Sequence, residues 1–199
     1  MSAKSTDWWM AVIRDWGESI VVAFILAMFI RAFFFQAFKI PSGSMKPTLQ
    51  IGDRLIVNKL VYGPKMPFTA QKEGYRLPGF SSPQRGDVVV FVYPVDPKRD
   101  FIKRLIAKGG ETVAIRGGDI YIDDQRIDLP VIDNIYYYNR GPYGKPGQTI
   151  TVPEGHYFVL GDNSASSHDS RYWGFVPERY LIGKAELIFW PPTRLRFIH

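Results

Sequence analysis

The sequence predicts a mainly β domain that follows a single N-terminal helix long enough to span a membrane. Two observations carry this prediction. The only long apolar run, residues 20–38, lies near the N-terminus. Beyond residue 40, helical periodicity gives way to short β-type runs bounded by Gly, Pro, Asp or Asn. We therefore expect a tail and transmembrane helix over residues 1–39 and a mainly β domain over residues 40–199.

Composition limits the classes of protein that this chain can belong to. Its 199 residues, 46% of them hydrophobic, suffice for one packed domain with an appendage. The net charge of +6 comes without a run of five basic residues or a nucleic-acid fingerprint, so no nucleic-acid partner is predicted. Without cysteine and with only three histidines, thiol catalysis and a multi-histidine metal centre are disfavoured. We predict neither a metal nor a cofactor.

The N-terminal segment has the features of a membrane anchor. Trp8, Trp9 and Trp16 occur at helical spacing, and tryptophan favours the membrane interface. At about 1.5 Å per residue, residues 20–38 are long enough to cross roughly 30 Å of hydrocarbon. Arg31 lies in the second half of this run, where its long side chain can extend to the headgroups.

A cleavable signal peptide is the alternative interpretation of this segment. Asp7, Asp15 and Glu18 in a long leader, and the absence of a clear small-x-small site after the Phe-rich end, argue against it. Lysine and arginine are slightly more frequent after the run than before it, which weakly favours a cytoplasmic β domain. Large C-terminal domains, however, translocate largely regardless of charge.

Eight short runs are predicted as strands: residues 55–57, 87–92, 101–106, 112–115, 120–122, 149–152, 157–160 and 185–190. Two stretches rich in Pro and Gly, residues 62–86 and 134–148, are predicted as long surface loops.

A serine-containing turn follows the apolar run directly. Residues 40–49 read Ile-Pro-Ser-Gly-Ser-Met-Lys-Pro-Thr-Leu, so prolines on both sides restrict the backbone and can hold the hydroxyl of Ser44 in one pose. An ordinary loop is the alternative. A serine hydroxyl is too weak an acid to attack unaided, so catalysis would require a base within hydrogen-bond reach.

Lys103 is the favoured base. On a strand it shares a face with Phe101, Leu105 and Ala107, and apolar surroundings lower the pKa of a lysine. The resulting neutral amine can accept the proton of Ser44 near neutral pH. A lysine that faces water from an edge strand is the alternative.

Other basic residues fit the role less well. His168 next to Asp169 suggests a Ser-His-Asp triad, but neighbours on a strand point to opposite faces. His156 is expected to pack or to cap a turn. Lys46 follows Ser44 by only two residues on a turn, from where its amine rarely folds back onto the hydroxyl.

The stretch 161–174 is rich in small hydroxyl residues. Asp169 and Arg171 within it suggest a loop whose backbone is fixed by a carboxylate and a guanidinium. A surface turn with a salt bridge is the alternative.

Three stretches together resemble type I signal peptidases: 41–45 (Pro-Ser-Gly-Ser-Met), 86–104, which contains Gly-Asp-Val-Val-Val-Phe and Phe-Ile-Lys-Arg, and 161–174, which contains Gly-Asp-Asn and Ser-His-Asp-Ser-Arg. Their order matches, and the similarity extends from about residue 38 to the end. The resemblance implies a coiled antiparallel β-sheet catalytic domain with serine endopeptidase activity. The chain departs from the family at residues 164–166, Ser-Ala-Ser, where Arg-Asp-Asn is frequent.

By this resemblance, Ser44 is the acyl-forming nucleophile and Lys103 the general base. Ser42 would donate to the oxyanion beside the Ser44 backbone amide, and Ser167 would orient the lysine amine.

The same resemblance assigns structural and substrate-binding roles. Asp169 and Arg171 would hold the site together. The substrate pockets map onto nine apolar residues: Phe38, Ile40, Pro41, Met45, Leu49, Leu55, Val90, Phe101 and Ile102. Their apolar character would favour small residues, typically alanine, at the first and third positions before the cut.

The resulting hypothesis is a membrane-anchored endopeptidase that removes signal peptides from exported precursor proteins. By the resemblance, its catalytic domain lies on the outer (trans) side of the cell membrane after a single pass. We expect a monomer whose partners are those precursors and the lipid bilayer. Two alternatives remain: a catalytically silent, membrane-anchored peptide-binding module, and a self-cleaving Ser/Lys regulator.

Overall fold

The computed structural model describes residues 5–65 and 76–198. Its first element is helix α1, Ser5–Phe33. Within α1, the 18 residues Trp16–Phe33 are long and apolar enough to cross a membrane, and they are not buried against the rest of the chain. The predicted N-terminal apolar helix is therefore confirmed.

The end of that helix differs from the prediction. The apolar run extends to residue 38, but α1 ends at Phe33, and residues 35–39 form a strand instead. Aromatic residues in the sequence Phe-Phe-Phe-Gln-Ala-Phe suit a strand. A partner strand, residues 54–58, pairs with all five residues of the segment. Long-range pairing therefore ends the helix earlier than the hydropathy predicts.

Lys59 fixes the junction between helix and sheet. Its backbone amide donates to the Phe34 carbonyl at 2.9 Å. Its Nζ donates to the carbonyls of Arg31 at 3.0 Å and Ala32 at 3.4 Å, in the last turn of α1. A cation that binds the last free carbonyls of a helix also complements the negative end of the helix dipole.

Twelve strands occur in the described residues: β1 Phe35–Lys39, β2 Arg54–Asn58, β3 Val88–Val92, β4 Asp100–Lys108, β5 Thr112–Arg116, β6 Asp119–Ile122, β7 Gln125–Arg126, β8 Thr149–Thr151, β9 His156–Leu160, β10 Val176–Pro177, β11 Leu181–Trp190 and β12 Arg196–Phe197. A short helix, α2 (Ser170–Trp173), and three 3₁₀ turns complete the described structure: Ser164–Ser166, Glu178–Tyr180 and Pro192–Arg194.

The strands form two antiparallel sheets. The larger has the order β1-β2-β11-β3-β4-β9-β10, and β12 also pairs with β11. The smaller has the order β7-β6-β5-β8. Register shifts in the β11 and β4–β9 pairings increase the local twist, so the larger sheet curls. The predicted mainly β, coiled antiparallel architecture is confirmed.

All eight predicted strands are present, with bounds that shift by one or two residues except at β11, which begins four residues earlier. Within the described part of the chain, the sequence analysis missed four strands, β1, β7, β10 and β12, of which three have only two residues. Residues 134–148 form no strand, as predicted. Part of the other predicted loop, residues 66–75, lies outside the described residues.

Strand β3 separates two apolar cores. Alternate side chains of a strand point to opposite faces. Val88 and Val90 accordingly pack with the apolar side chains beneath residues 40–49, whereas Val89 and Phe91 pack on the other face. A third cluster fills the space between the two sheets and contains Phe158. Burial on both faces explains why β3 reads as a continuous apolar run.

Replacing Phe158 by Ala should lower the free energy of unfolding by about 3–5 kcal/mol, because its fully buried ring lies in the inter-sheet cluster. Phe80→Ala is the matched control, since Phe80 is 86% exposed, and its effect should stay within about 0.5 kcal/mol. Urea unfolding of both variants measures the difference. Equal effects would contradict this assignment of the core.

Candidate active site

Residues 40–49 pass from β1 across one face of the larger sheet. Ile40, Met45 and Leu49 are buried in the apolar cluster beneath them. Three buried anchors within ten residues restrict the turn far more than its prolines alone. The half-buried Ser44 is thereby held at the rim of the core.

The segment 161–163 holds the same turn from a distant part of the chain. Asn163 donates from its side chain to the Gly43 carbonyl at 2.9 Å and from its backbone to the Ser44 carbonyl at 3.0 Å. A Cβ on Gly161 would lie 2.1 Å from Ser167 Oγ and 2.5 Å from the Ser44 carbonyl oxygen. Only glycine therefore permits this close approach of the two segments.

The structure brings Lys103 against Ser44. Lys103 projects from β4 and is 3% exposed. Its Nζ is hydrogen-bonded to Ser44 Oγ at 2.8 Å and to the Ile102 carbonyl at 2.8 Å. The amine also lies 5.3 Å from the centre of the Phe101 ring. Lys103 is thus a buried lysine at the serine, not a solvent-facing one.

Burial lowers the pKa of Lys103 from 10.5 to about 8. The nearby carboxylates of Asp169 and Asp162 act in the opposite direction and raise the pKa. Each of them is paired with an arginine, Arg171 and Arg104 respectively. Because their charges are balanced, desolvation dominates, and a substantial fraction of the amine is neutral near pH 8.

Asp169 and Arg171 form a fully buried, bidentate ion pair, with both N–O distances at 2.8 Å. Asp169 also accepts from the Gly161 amide at 3.1 Å. Arg171 binds the carbonyl and the hydroxyl of Ser164, each at 2.9 Å. The pair therefore fixes the hydroxyl-rich loop internally, as the sequence predicts, and is not a salt bridge on the surface.

A second buried ion pair was not predicted. Arg104 binds Asp162 through Nε at 2.9 Å and Nη2 at 2.7 Å. Thr48, from the serine turn, donates to the same carboxylate at 2.5 Å. Both residues lie in motifs that the sequence analysis quoted, because Asp162 belongs to Gly-Asp-Asn and Arg104 follows Lys103. Their pairing could not be predicted, because no local pattern links residues 58 positions apart.

The two supporting serines have different positions. Ser42 is exposed and lines the cavity beside Ser44. Ser167 is buried, and its hydroxyl has no hydrogen-bond partner among the described residues. The expected hydrogen bond from Ser167 to the lysine amine is thus not formed, and Lys103 binds the Ile102 carbonyl instead. The role of Ser167 stays a prediction.

The histidine alternative fails on geometry. His168 is exposed at the cavity, with Nε2 3.2 Å from the Tyr93 hydroxyl. Asp169, the acid that a triad would require, is bound to Arg171. His168 is consequently not the base of a Ser-His-Asp triad.

Neither of the remaining basic candidates is hydrogen-bonded to the Ser44 hydroxyl among the described residues, where Lys103 is its partner. Lys46 is exposed and its side chain lies beside Gly43. His156 Nδ1 lies 2.9 Å from the Glu154 carbonyl, within a turn. No group of His, Cys, Asp or Glu among the described residues has an arrangement that could hold a metal ion.

A cavity of about 550 Å³ opens beside the serine and lysine. Its lining comprises Pro41, Ser42, Gly43, Ser44, Arg99, Asp100, Phe101, Ile102, Lys103, Ser166 and His168. Three of the nine predicted pocket residues are included: Pro41, Phe101 and Ile102. The sequence analysis did not identify the polar part of the wall, Arg99, Asp100, Ser166 and His168.

The other six predicted pocket residues do not line this cavity. Five are buried in the apolar cluster beneath the turn: Ile40, Met45, Leu49, Leu55 and Val90. The sixth, Phe38, is partly buried and packs against that cluster. Their burial supports the serine turn, and their role in substrate binding stays a prediction.

A serine hydroxyl hydrogen-bonded to a buried amine, beside a cavity of about 550 Å³, is an arrangement that suits acyl transfer through a serine nucleophile. A family model described as "Signal peptidase, peptidase S26" matches residues 13–190. The "Probable signal peptidase I-2" of Synechocystis sp. is 40% identical over 90% of this chain and 74% of its own length. "Signal peptidase I" of Pseudomonas aeruginosa is 33% identical over 92% and 75%, and "Signal peptidase I T" of Bacillus subtilis is 34% identical over 92% and 88%.

The chain therefore belongs to the signal peptidase family, peptidase S26, and is a serine endopeptidase. The activity that this family defines is the removal of signal peptides.

Gly161→Ala should reduce kcat by about 10²-fold or more, because an added Cβ displaces the Ser44 backbone and misaligns the hydroxyl. Gly17→Ala is the control, since nothing lies within 4 Å of the new Cβ. Steady-state cleavage of a precursor peptide measures both variants. Unchanged kcat in Gly161→Ala would contradict the tight contact between residues 161 and 44.

Proposed function

We propose that this protein cuts signal peptides from exported precursors through a Ser44/Lys103 dyad and an acyl-enzyme. One observation carries the proposal: a buried amine, with its pKa lowered to about 8, lies 2.8 Å from the serine hydroxyl. A neutral amine at this distance can accept the hydroxyl proton as the oxygen attacks.

The first half of the reaction forms the acyl-enzyme. Lys103 takes the proton of Ser44, and Ser44 Oγ attacks the carbonyl carbon of the scissile peptide bond. The Ser44 backbone amide and the Ser42 hydroxyl donate to the resulting oxyanion. The carbon–nitrogen bond then breaks, and the Lys103 ammonium returns its proton to the leaving amine.

The second half hydrolyses the ester. Lys103, neutral again, accepts a proton from a water molecule that attacks the acyl carbon. The bond between the acyl carbon and Ser44 Oγ then breaks, Lys103 returns the proton to Oγ, and the signal peptide leaves with a new carboxyl terminus. No step in this sequence requires a cofactor.

The cavity wall suits an extended peptide with small side chains before the cut. Pro41, Phe101 and Ile102 form an apolar part of the lining next to the nucleophile. A strand-like substrate would place alternate side chains against this wall. Because the side chains of the wall are large, they leave room for small residues such as alanine at the first and third positions before the cut.

Helix α1 would anchor the enzyme as a single-pass membrane protein with the β domain on the outer (trans) side. The apolar segment Trp16–Phe33 supports the anchor, and the resemblance to the family supports the orientation. Substrates held in the same bilayer would meet the site at high effective concentration. We expect the enzyme to act as a monomer.

Ser44→Ala should lower kcat/KM for a precursor with an Ala-x-Ala site by about 10⁴-fold or more, because the nucleophile is removed. Ser81→Ala, an exposed serine distant in sequence, is the control and should retain full activity. Near-normal turnover of the Ser44 variant would remove the dyad from the mechanism. Stoichiometric precursor binding without product by the unmodified protein would support the silent binding module.

The pH dependence follows from the lowered pKa of Lys103. The base must be neutral, so kcat/KM should fall about tenfold for each pH unit below about 8 as the amine gains its proton. A pH–rate profile of the purified enzyme in detergent measures this. Activity that stays constant well below neutrality would identify a different base.

A further inference from the structure

A surface of exposed aromatic and basic side chains adjoins the cavity beside Ser44. Ser166 lines that cavity, and the preceding residue, Ala165, is also exposed. The Ala165 carbonyl accepts a hydrogen bond from Arg140 Nη1 at 2.7 Å. The guanidinium carbon of Arg140 lies 5.2 Å from the centre of the Tyr138 ring. Arg140 and Tyr138 are therefore connected directly to one wall of the cavity.

Two tyrosines give this surface its aromatic part. Tyr136 and Tyr138 are exposed, and the centres of their rings lie 4.9 Å apart in an edge-to-face arrangement. Tyr137, between them, is buried, and the Tyr138 amide donates to Ser164 Oγ at 2.9 Å. The backbone thus holds the rings in place, and rings with apolar faces and a polar edge suit contacts with another polypeptide. We call Tyr136, Tyr138 and Arg140 together the tyrosine surface.

The tyrosine surface is positively charged. The two segments that supply it and the adjoining cavity wall, residues 134–148 and 164–168, contain Arg140 and Lys145 but no Asp or Glu. Among the described residues, Arg140 bonds to a carbonyl and lies over a ring, but it has no carboxylate partner. A guanidinium has five N–H donors, so several remain available to a bound molecule. A carboxylate is the acceptor that suits them best.

The position of α1 limits which part of a precursor can reach the tyrosine surface. α1 continues into β1, an outermost strand of the larger sheet. The segment that carries the tyrosine surface is bonded to the smaller sheet instead. The Tyr137 amide donates to the Gly118 carbonyl at 2.9 Å, and the Asn139 side chain donates to the Ile115 carbonyl at 3.0 Å. If α1 is the membrane anchor, as proposed above, a signal peptide lies in the bilayer beside it, and the part of the precursor after the cut can extend over the smaller sheet.

We infer that the tyrosine surface binds the part of the precursor after the cut, as an extended chain with an acidic side chain bonded to Arg140. The inference rests on the proposed function, because it takes the Ser44 cavity as the place where the precursor is cut. An extended chain covers about 10–20 Å in three to six residues, so we assign the acidic side chain to this range. The enzyme would thus select small residues before the cut and acidic residues after it.

The test compares two precursor peptides with the same Ala-x-Ala site, one with glutamate and one with glutamine at positions three to six after the cut. We expect the full chain, in nonionic detergent, to cleave the glutamate peptide with a kcat/KM about threefold above that of the glutamine peptide, as exposed ion pairs allow. Arg140→Gln, which retains a donor for the Ala165 carbonyl, should remove this preference. The difference should lie in KM, because the contact is remote from the reacting bond. Salt at about 0.5 M should also remove it.

Arg179→Gln is the matched control. Arg179 is also exposed and lies over a tyrosine, 5.6 Å from the centre of the Tyr180 ring, but Tyr180 belongs to the cluster on the other face of the larger sheet. This variant should keep the preference for glutamate. Tyr138→Ala should raise KM for both peptides, because its ring would contact the chain regardless of charge.

Three results would overturn the inference. A glutamate preference that is absent, or that survives Arg140→Gln, would exclude the contact with Arg140. Equal loss of the preference in Arg179→Gln would indicate general surface charge. The same dependence on Arg140 with the glutamates placed before the cut would assign the surface to the signal peptide. Fluorescence anisotropy of the labelled glutamate peptide with Ser44→Ala, alone and combined with Arg140→Gln, separates the two proposals. Arg140→Gln should raise this Kd about threefold, and the change does not depend on the dyad.

Discussion

A lysine amine kept inside the protein, against a serine hydroxyl, is the interaction on which the whole site depends. Burial lowers the pKa of Lys103 by desolvating its charged form. A shift from 10.5 to about 8 corresponds to roughly 3 kcal/mol of lost stability, present below pH 8 and relieved as the pH rises toward 10.5. The apolar cores that enclose β3 and β4 have to supply that stability.

The two buried ion pairs explain how an uncharged lysine coexists with two nearby carboxylates. Unpaired, Asp162 and Asp169 would hold the proton on Lys103. Arg104 and Arg171 balance their charges and at the same time orient the segment that contacts the serine turn. Removing one partner of such a pair leaves an uncompensated buried charge, which is strongly destabilising. The same two arginines therefore balance the charge near Lys103 and position the serine turn.

The sequence predicted the features that local patterns determine. The eight strands follow from β-type runs between turn residues, and the apolar strand neighbours of Lys103 predict a lysine with a lowered pKa. The end of α1 was not predictable in this way, because pairing of residues 35–39 with 54–58 decides it. Among the predicted pocket residues, Met45 and Val90 lie in the apolar cluster beneath the serine turn, and their role in substrate binding stays a prediction. Apolar character alone does not distinguish a core position from a binding wall.

The contacts of the supporting polar residues were the least predictable part of the site. Asn163 and Gly161 approach the serine turn across more than a hundred residues of chain, so no local pattern reveals their contacts. The resemblance to a family supplied the expected partner of Ser167, and among the described residues its buried hydroxyl has no hydrogen-bond partner. Tertiary contacts, not propensities, determine such details.

The most direct test is a site-resolved NMR titration of the Lys103 side-chain nitrogen in ¹⁵N-lysine-labelled protein, with Lys103→Met used to assign the signal. A midpoint near pH 8 is the result that a buried base requires. A midpoint near the ordinary 10.5 would mean that the amine is charged at neutral pH, and the proposed dyad would be wrong.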